Sequence, residues 1–236
     1  MSDFLTNNVT ISSTKSERNG KIFLHGINKL IEWHGKLQQK HMLLENVEGV
    51  GQVKLTEGTE IDDFLFLTKN GNCESFRSQL KRDFTAVIFL RHLGCGMSQL
   101  DMLKYRDAYQ FLKDQGIEIM VVIQGAEAAV SERTAKMKIP YTVIADPEQS
   151  LYEHFDIPSS DSMRNLVYGV SEEKLLEFEY YGIECQRFEG NELQLQATIV
   201  IDRKGQVVLG HYSANISDVP SPSELYQMLQ AVPVRS

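Results

Sequence analysis

The stretch TAVIFLRHLGCGMSQLDMLKY, residues 85–105, decides the reading of this chain. Thr85 to Arg91 is a run of β-branched, aromatic and aliphatic residues with no polar alternation, the pattern of a strand buried on both faces. From about residue 96 the apolar positions take up a helical spacing that lasts to about residue 114, before Gly116. A thiol, Cys95, therefore stands at the seam between a buried strand and a helix, with Gly94 and Gly96 on either side.

That seam has a chemical consequence. The first turn of a helix carries unpaired backbone N–H groups and the positive end of the helix dipole, which favour an anion. Cysteines placed there hold more thiolate at neutral pH, and the thiolate is the nucleophile. Gly94 and Gly96 leave room beside the sulfur for a substrate. Arg91 and His92, just upstream, offer positive charge, and strand alternation sends only one of the two toward the sulfur. Ser98 lies one helical turn from Cys95, where its hydroxyl can reach the sulfur but cannot form a disulfide. The competing reading is a small buried cysteine with no chemistry.

Outward from this seam the chain alternates. IEIMVVIQG (117–125) is a second buried strand and AEAAVSERTAKM (126–137) a second helix. YTVIAD (141–146) is a short strand, and PEQSLYEHF (147–155) reads as a short helix with proline in its first turn. Residues 159–195 break the pattern and are read as an insertion holding one helical segment, SEEKLLEFEYY. ATIVIDRKGQVVLGHYS (197–213) is a hairpin turning at Asp202 to Gly205, and SPSELYQMLQAV (221–232) is a closing helix. The order β-α-β-α, short strand and helix, insertion, β-β-α implies an α/β sandwich of the thioredoxin-like class, a central mixed sheet flanked by helices.

Ahead of this sandwich, DDFLFLTKNGNCESFRSQL reads as an added β-hairpin turning at Asn70-Gly71, with Cys73 just beyond. Residues 1–50 are read as an N-terminal arm and an amphipathic helix, and 51–236 as the thioredoxin-like domain. In the helix, Phe23, Leu30, Leu37 and Leu44 recur every seven residues. That stripe serves either as a homodimer seam or as a face folded on the sheet. Gly26 and Gly35 count against the helix, at about 1 kcal/mol each relative to alanine. His34 and His41 lack a third ligand nearby, so no metal site is expected.

The 236 residues carry a net charge of -8, which disfavours nucleic acid and anionic membranes as partners. No apolar run reaches the roughly 20 residues needed to span a bilayer. The opening MSDFLTNNVTISS lacks the basic and apolar regions of a secretory leader, so a cytoplasmic location is expected. Three widely spaced cysteines, Cys73, Cys95 and Cys185, do not form a disulfide framework.

Three stretches carry a resemblance. VIFLRHLGCGMS (87–98), IPYTVIADPEQSLYEHFDI (139–157) and LQLQATIVIDRKGQVVLGHYSANISDVPSPSEL (193–225) resemble the peroxiredoxin-like proteins of the alkyl hydroperoxide reductase and thiol-specific antioxidant group, in the thioredoxin superfamily. The likeness runs from about residue 60 to the end. It implies that Cys95 reduces a small-molecule hydroperoxide. The residues present then point to a one-thiol route, with Arg91 and Ser98 assisting and His92, Gly94, Gly96 and Gln196 lining the substrate site. The likeness implies no cofactor, and an external thiol as reductant. The sequence departs from the patterns of this group and of thioredoxins at several positions. Counting back from Cys95, His92 stands where peroxiredoxins carry threonine and Ile88 where they carry proline. Ser98 replaces the second cysteine of a Cys-x-x-Cys. Gln196-Ala197 stands where thioredoxins have a cis-proline. These departures keep open a second reading, a non-catalytic thioredoxin-fold redox sensor or scaffold.

Overall fold

Strand β3 (Phe84–His92) is the spine of the structure, and every residue from Thr85 to His92 is buried. The computed structural model describes residues 55–68, 73–183 and 190–232. The chain divides into two units, Met1–Glu48 and Gly49–Ser236, and all described residues belong to the second. The expected amphipathic helix with its Phe23–Leu44 stripe, His34 and His41, the Asn70-Gly71 turn, and Cys185 lie outside the described residues.

Ahead of the spine, β1 (Leu65–Leu67) and β2 (Cys73–Ser75) pair antiparallel, as the hairpin reading requires. β3 then leads into α1 (Gly96–Asp114), β4 (Ile117–Gln124), α2 (Glu127–Lys136) and β5 (Thr142–Ala145). Three short helices follow: α3 (Ser150–His154), α4 (Met163–Val167) and α5 (Glu172–Tyr181). β6 (Ala197–Asp202), β7 (Val207–Tyr212) and α6 (Pro222–Gln230) close the chain. The five main strands lie in the order β5-β4-β3-β6-β7. β3, β4 and β5 are parallel, because helical crossovers join them, while β6 runs antiparallel to β3 and hairpins into β7. This is the expected thioredoxin-like mixed sheet.

Each face of the sheet buries its own cluster, because alternate side chains point to opposite sides. Ala86, Ile88 and Leu90 of β3 pack with Met102, Tyr105 and Leu112 of α1 and Leu225 of α6. Val87 and Phe89 pack on the other face with Tyr152 of α3 and Phe155 just after it, and with Phe66 and Phe76 from the hairpin region. The hairpin ahead of the sandwich is therefore part of the core.

Two local readings change. Helix α3 does not start at Pro147: its first residue is Ser150, and the buried Asp146 carboxylate accepts the N–H groups of Ser150, Leu151 and Tyr152. The carboxylate satisfies helix donors that a proline-led turn would have left open. The insertion holds two helices, α4 and α5, each opened by a serine cap, Ser162 and Ser171.

Candidate functional site

The site grows from an irregularity at the end of β3. Leu90 pairs with Ile123 and His92 pairs with Gln124, so the register slips at Arg91. A residue left out of the ladder needs another partner for its N–H. The Arg91 N–H donates to Ser98 Oγ at 3.1 Å, deep in the protein. Ser98 thus ties the first turn of α1 to the strand end, and its oxygen receives this amide.

Between these two anchor points the chain makes a tight turn, with Cys95 N–H donating to His92 C=O at 3.0 Å. Cys95 is the N-cap residue of α1, in extended conformation, and its own C=O accepts the first helical bond, from Gln99 N–H at 3.1 Å. The sulfur accepts no backbone amide. Its polar partner is Arg91, whose Nη1 donates to Cys95 Sγ at 3.2 Å. The sulfur thus lies beside a guanidinium and at the N-terminal end of a 19-residue helix. The expected source of charge is therefore corrected in part: a guanidinium, and not capped amides, holds the sulfur.

Arg91 does not reach the sulfur unaided. Its Nε donates to Gln194 C=O at 3.1 Å, and Nη2 donates to Glu192 C=O. Both carbonyls belong to the segment entering β6. Its conformation is held by Gln194, 2% exposed, whose side-chain amide donates to the carbonyls of Ile157, Pro158 and Leu195 and whose Oε1 accepts from Gln149 and Asn191. Asn191 in turn bonds Gln124, the β4 neighbour of His92. The far side of the turn is pinned by Gln99, which donates to Leu93 C=O at 2.8 Å and accepts from Arg133 at 3.1 Å.

His92 is buried, and burial, followed by the charge of Arg91, pushes its pKa down to about 4. It is neutral at pH 7, so Arg91 is the cation of the pair. Gly94 is half-buried and Gly96 opens the helix. Neither has a positive φ. Gln196 is fully buried, and its Nε2 lies 3.5 Å from Asp101 Oδ2 on α1. Burial pushes the Asp101 carboxyl up to about 7, against the pull of Lys174 and Lys104. Gln196 forms no hydrogen bond to Cys95, and no described peptide bond is cis. The structure thus brings Cys95, Arg91 and Ser98 into one bonded unit and turns Gln196 toward Asp101.

Gln194, Gln99 and Asp101 escaped the sequence reading. Their signal was present: each is a polar residue set inside an otherwise apolar segment, as in LQLQATIVID. Cys95 itself is 8% exposed, and Cys73 is exposed at the start of β2. Among the described residues no His, Cys, Asp and Glu cluster could hold a metal. No described helix is long and apolar enough to cross a membrane.

Residues 58–209 match the AhpC/TSA family. No curated protein matches. Among solved structures, the chain resembles the peroxidoxin BcpB of Mycobacterium tuberculosis, with a TM-score of 0.56, 12% identity, and coverage of 77% of this chain and 99% of that one. It resembles the yeast mitochondrial 1-Cys peroxiredoxin (TM-score 0.55, 11% identity, 75% and 76% covered). It also resembles a cysteine-to-serine mutant of PrxQ from Xylella fastidiosa (TM-score 0.55, 12% identity, 76% and 96% covered). At such identities the likeness is one of fold.

Proposed function

This chain belongs to the AhpC/TSA family, and from that premise we propose that it is a thiol-dependent peroxide reductase working through Cys95 alone, with an external thiol as reductant. The observation that carries the proposal is the 3.2 Å bond from Arg91 to Cys95 Sγ at the start of a long helix. A cation held beside a thiol favours the nucleophilic form and stabilises charge developing at the reacting oxygens.

The Cys95 thiolate attacks one oxygen of a hydroperoxide, the O–O bond breaks, and the leaving alkoxide or hydroxide takes a proton. The sulfur is oxidised by two electrons to sulfenic acid and the peroxide is reduced to an alcohol or water. An external thiol displaces water to give a mixed disulfide. A second thiol then releases Cys95 and leaves as the oxidised reductant. Ser98, in place of a second cysteine, rules out closure within the turn. The yeast relative is described as a 1-Cys peroxiredoxin resolved through glutathione/thioredoxin systems, and a small or protein thiol of that class is the proposed reductant here.

The test is peroxide consumption by the purified full chain with dithiothreitol or glutathione. Cys95→Ser abolishes it, while Cys73→Ser and Cys185→Ser retain it. Mass analysis after hydrogen peroxide finds oxidation at Cys95. Activity surviving in Cys95→Ser rejects the assignment. The second reading, a redox sensor or scaffold, is favoured by the 8% exposure of Cys95; it is the outcome if Cys95 oxidises without sustained turnover.

A further inference from the structure

Strand β3 carries Cys95 at its C-terminal end, and a different kind of site lies at the other. A hollow of about 470 Å³ is lined by Gln79, Lys81, Arg82, Lys113, Glu118 and Arg203. Lys81 and Arg82 precede β3, Lys113 ends α1, Glu118 opens β4 and Arg203 follows β6. Because α1 runs back along the sheet and β6 is antiparallel to β3, all of these meet at the N-terminal end of the spine. About 25 Å of strand separates this end from the cysteine turn. The hollow owes nothing to the redox site.

Its charge is out of keeping with the rest of the molecule. On a chain of net charge -8, four cationic side chains face one carboxylate. That carboxylate is engaged: Glu118 accepts Tyr109 O–H at 2.6 Å. Lys81, Arg82 and Lys113 enter no ion pair among the described residues, although Lys113 lies over the Tyr109 ring at 5.5 Å. Arg203 meets Asp83 at 2.9 Å, but both are more than half exposed, so the pair is weak and Arg203 is free to be recruited. Four cations outnumber the two carboxylates beside them, Glu118 and Asp83, and a concave surface focuses the field of the excess. An anion offsets that excess.

The volume suits a small molecule. Two guanidinium groups and two ammonium groups need many acceptor oxygens and more than one negative charge. Phosphate groups present both, and the arginine fork matches them bidentately. We propose that this hollow binds a small phosphate-bearing polyanion, at a site separate from Cys95.

The test titrates the full chain with sodium pyrophosphate at low ionic strength, followed by calorimetry and by ³¹P NMR. Binding is saturable, with a Kd below about 1 mM, and weakens about tenfold in Arg82→Gln and again in Lys113→Gln, each of which removes a charge-assisted hydrogen bond. Glu118→Gln keeps an acceptor for Tyr109 and tightens binding. Added salt weakens it. No saturation by about 10 mM pyrophosphate overturns the proposal, since a Kd above that range is not a built site. So does binding unchanged in the cation variants, or citrate binding as tightly as pyrophosphate. Should a cation variant fail to fold, Glu118→Gln decides: unchanged or weaker binding there overturns the site.

Discussion

Arg91 and Cys95 stand four residues apart, and the guanidinium of one donates to the sulfur of the other at 3.2 Å only because two distant carbonyls hold the fork in place. The cation beside the thiol is thus a product of the segment entering β6. This relationship sets the first prediction. Arg91→Lys keeps the charge but cannot span three acceptors. Loss of the charge-assisted bond to sulfur lowers kcat/KM for peroxide about tenfold or more. The same change costs about 1–3 kcal/mol in urea unfolding, because carbonyls are left unpaired. Wild-type rates in this variant would show that the guanidinium geometry is irrelevant to the sulfur.

Ser98 accepts the Arg91 N–H that the register slip leaves outside the ladder. Ser98→Ala strands that buried donor and destabilises the protein by about 1–3 kcal/mol. The midpoint of chemical denaturation reads this directly, and an unmoved midpoint sinks the assignment.

Gln194 is the brace behind the clamp. Gln194→Ala removes its bonds to Ile157, Pro158, Leu195, Gln149 and Asn191. The expected loss is about 2–4 kcal/mol. Amide exchange across 190–196 accelerates, and alkylation of Cys95 by iodoacetamide at pH 7 slows. Faster exchange with unchanged alkylation would separate the brace from the thiol and reject the link.

Asp101 and His92 pull stability in opposite directions across one pH window. Asp101 is raised by burial from 3.8 to about 7. Between these values the folded state binds the proton and the unfolded state does not, so this group adds stability as pH falls from 7 to 4 and withdraws it as pH rises. His92 is lowered by burial from 6.5 to about 4. Between those values the unfolded state binds the proton first, so this group's contribution is full above 6.5 and is lost as pH falls toward 4. The two trends offset each other in the native protein. Relative to wild type, Asp101→Asn turns more acid-sensitive and His92→Asn less so, with slopes of at most about 1.4 kcal/mol per pH unit. Denaturation midpoints of both variants at pH 4 to 8 check this, and parallel profiles would refute it.

Much of the sandwich was legible along the chain because strand and helix periodicities are local: TAVIFLR and IEIMVVIQG declare buried strands wherever they pack. The thiol at the seam was legible for the same reason, since Cys95 follows the strand and precedes the helix in sequence. The start of α3 was misjudged because a buried carboxylate, Asp146, outbid Pro147 for control of the helix end. The N-terminal hairpin read as an appendage, although Phe66 and Phe76 belong to the core. Burial of a short hairpin depends on what it lands on.

The sequence alone determined the order of the elements, the family likeness and the position of Cys95 as the N-cap of α1. Only the tertiary structure decided which charge meets that sulfur. Arg91 takes its orientation from Gln194, 103 residues further on. His92 and Asp101 owe their altered protonation to burial by elements remote from them in the chain. A pattern read along the backbone senses neighbours within a few residues. Desolvation and hydrogen bonding across a closed loop exist only once the sheet has brought the far ends of the chain together.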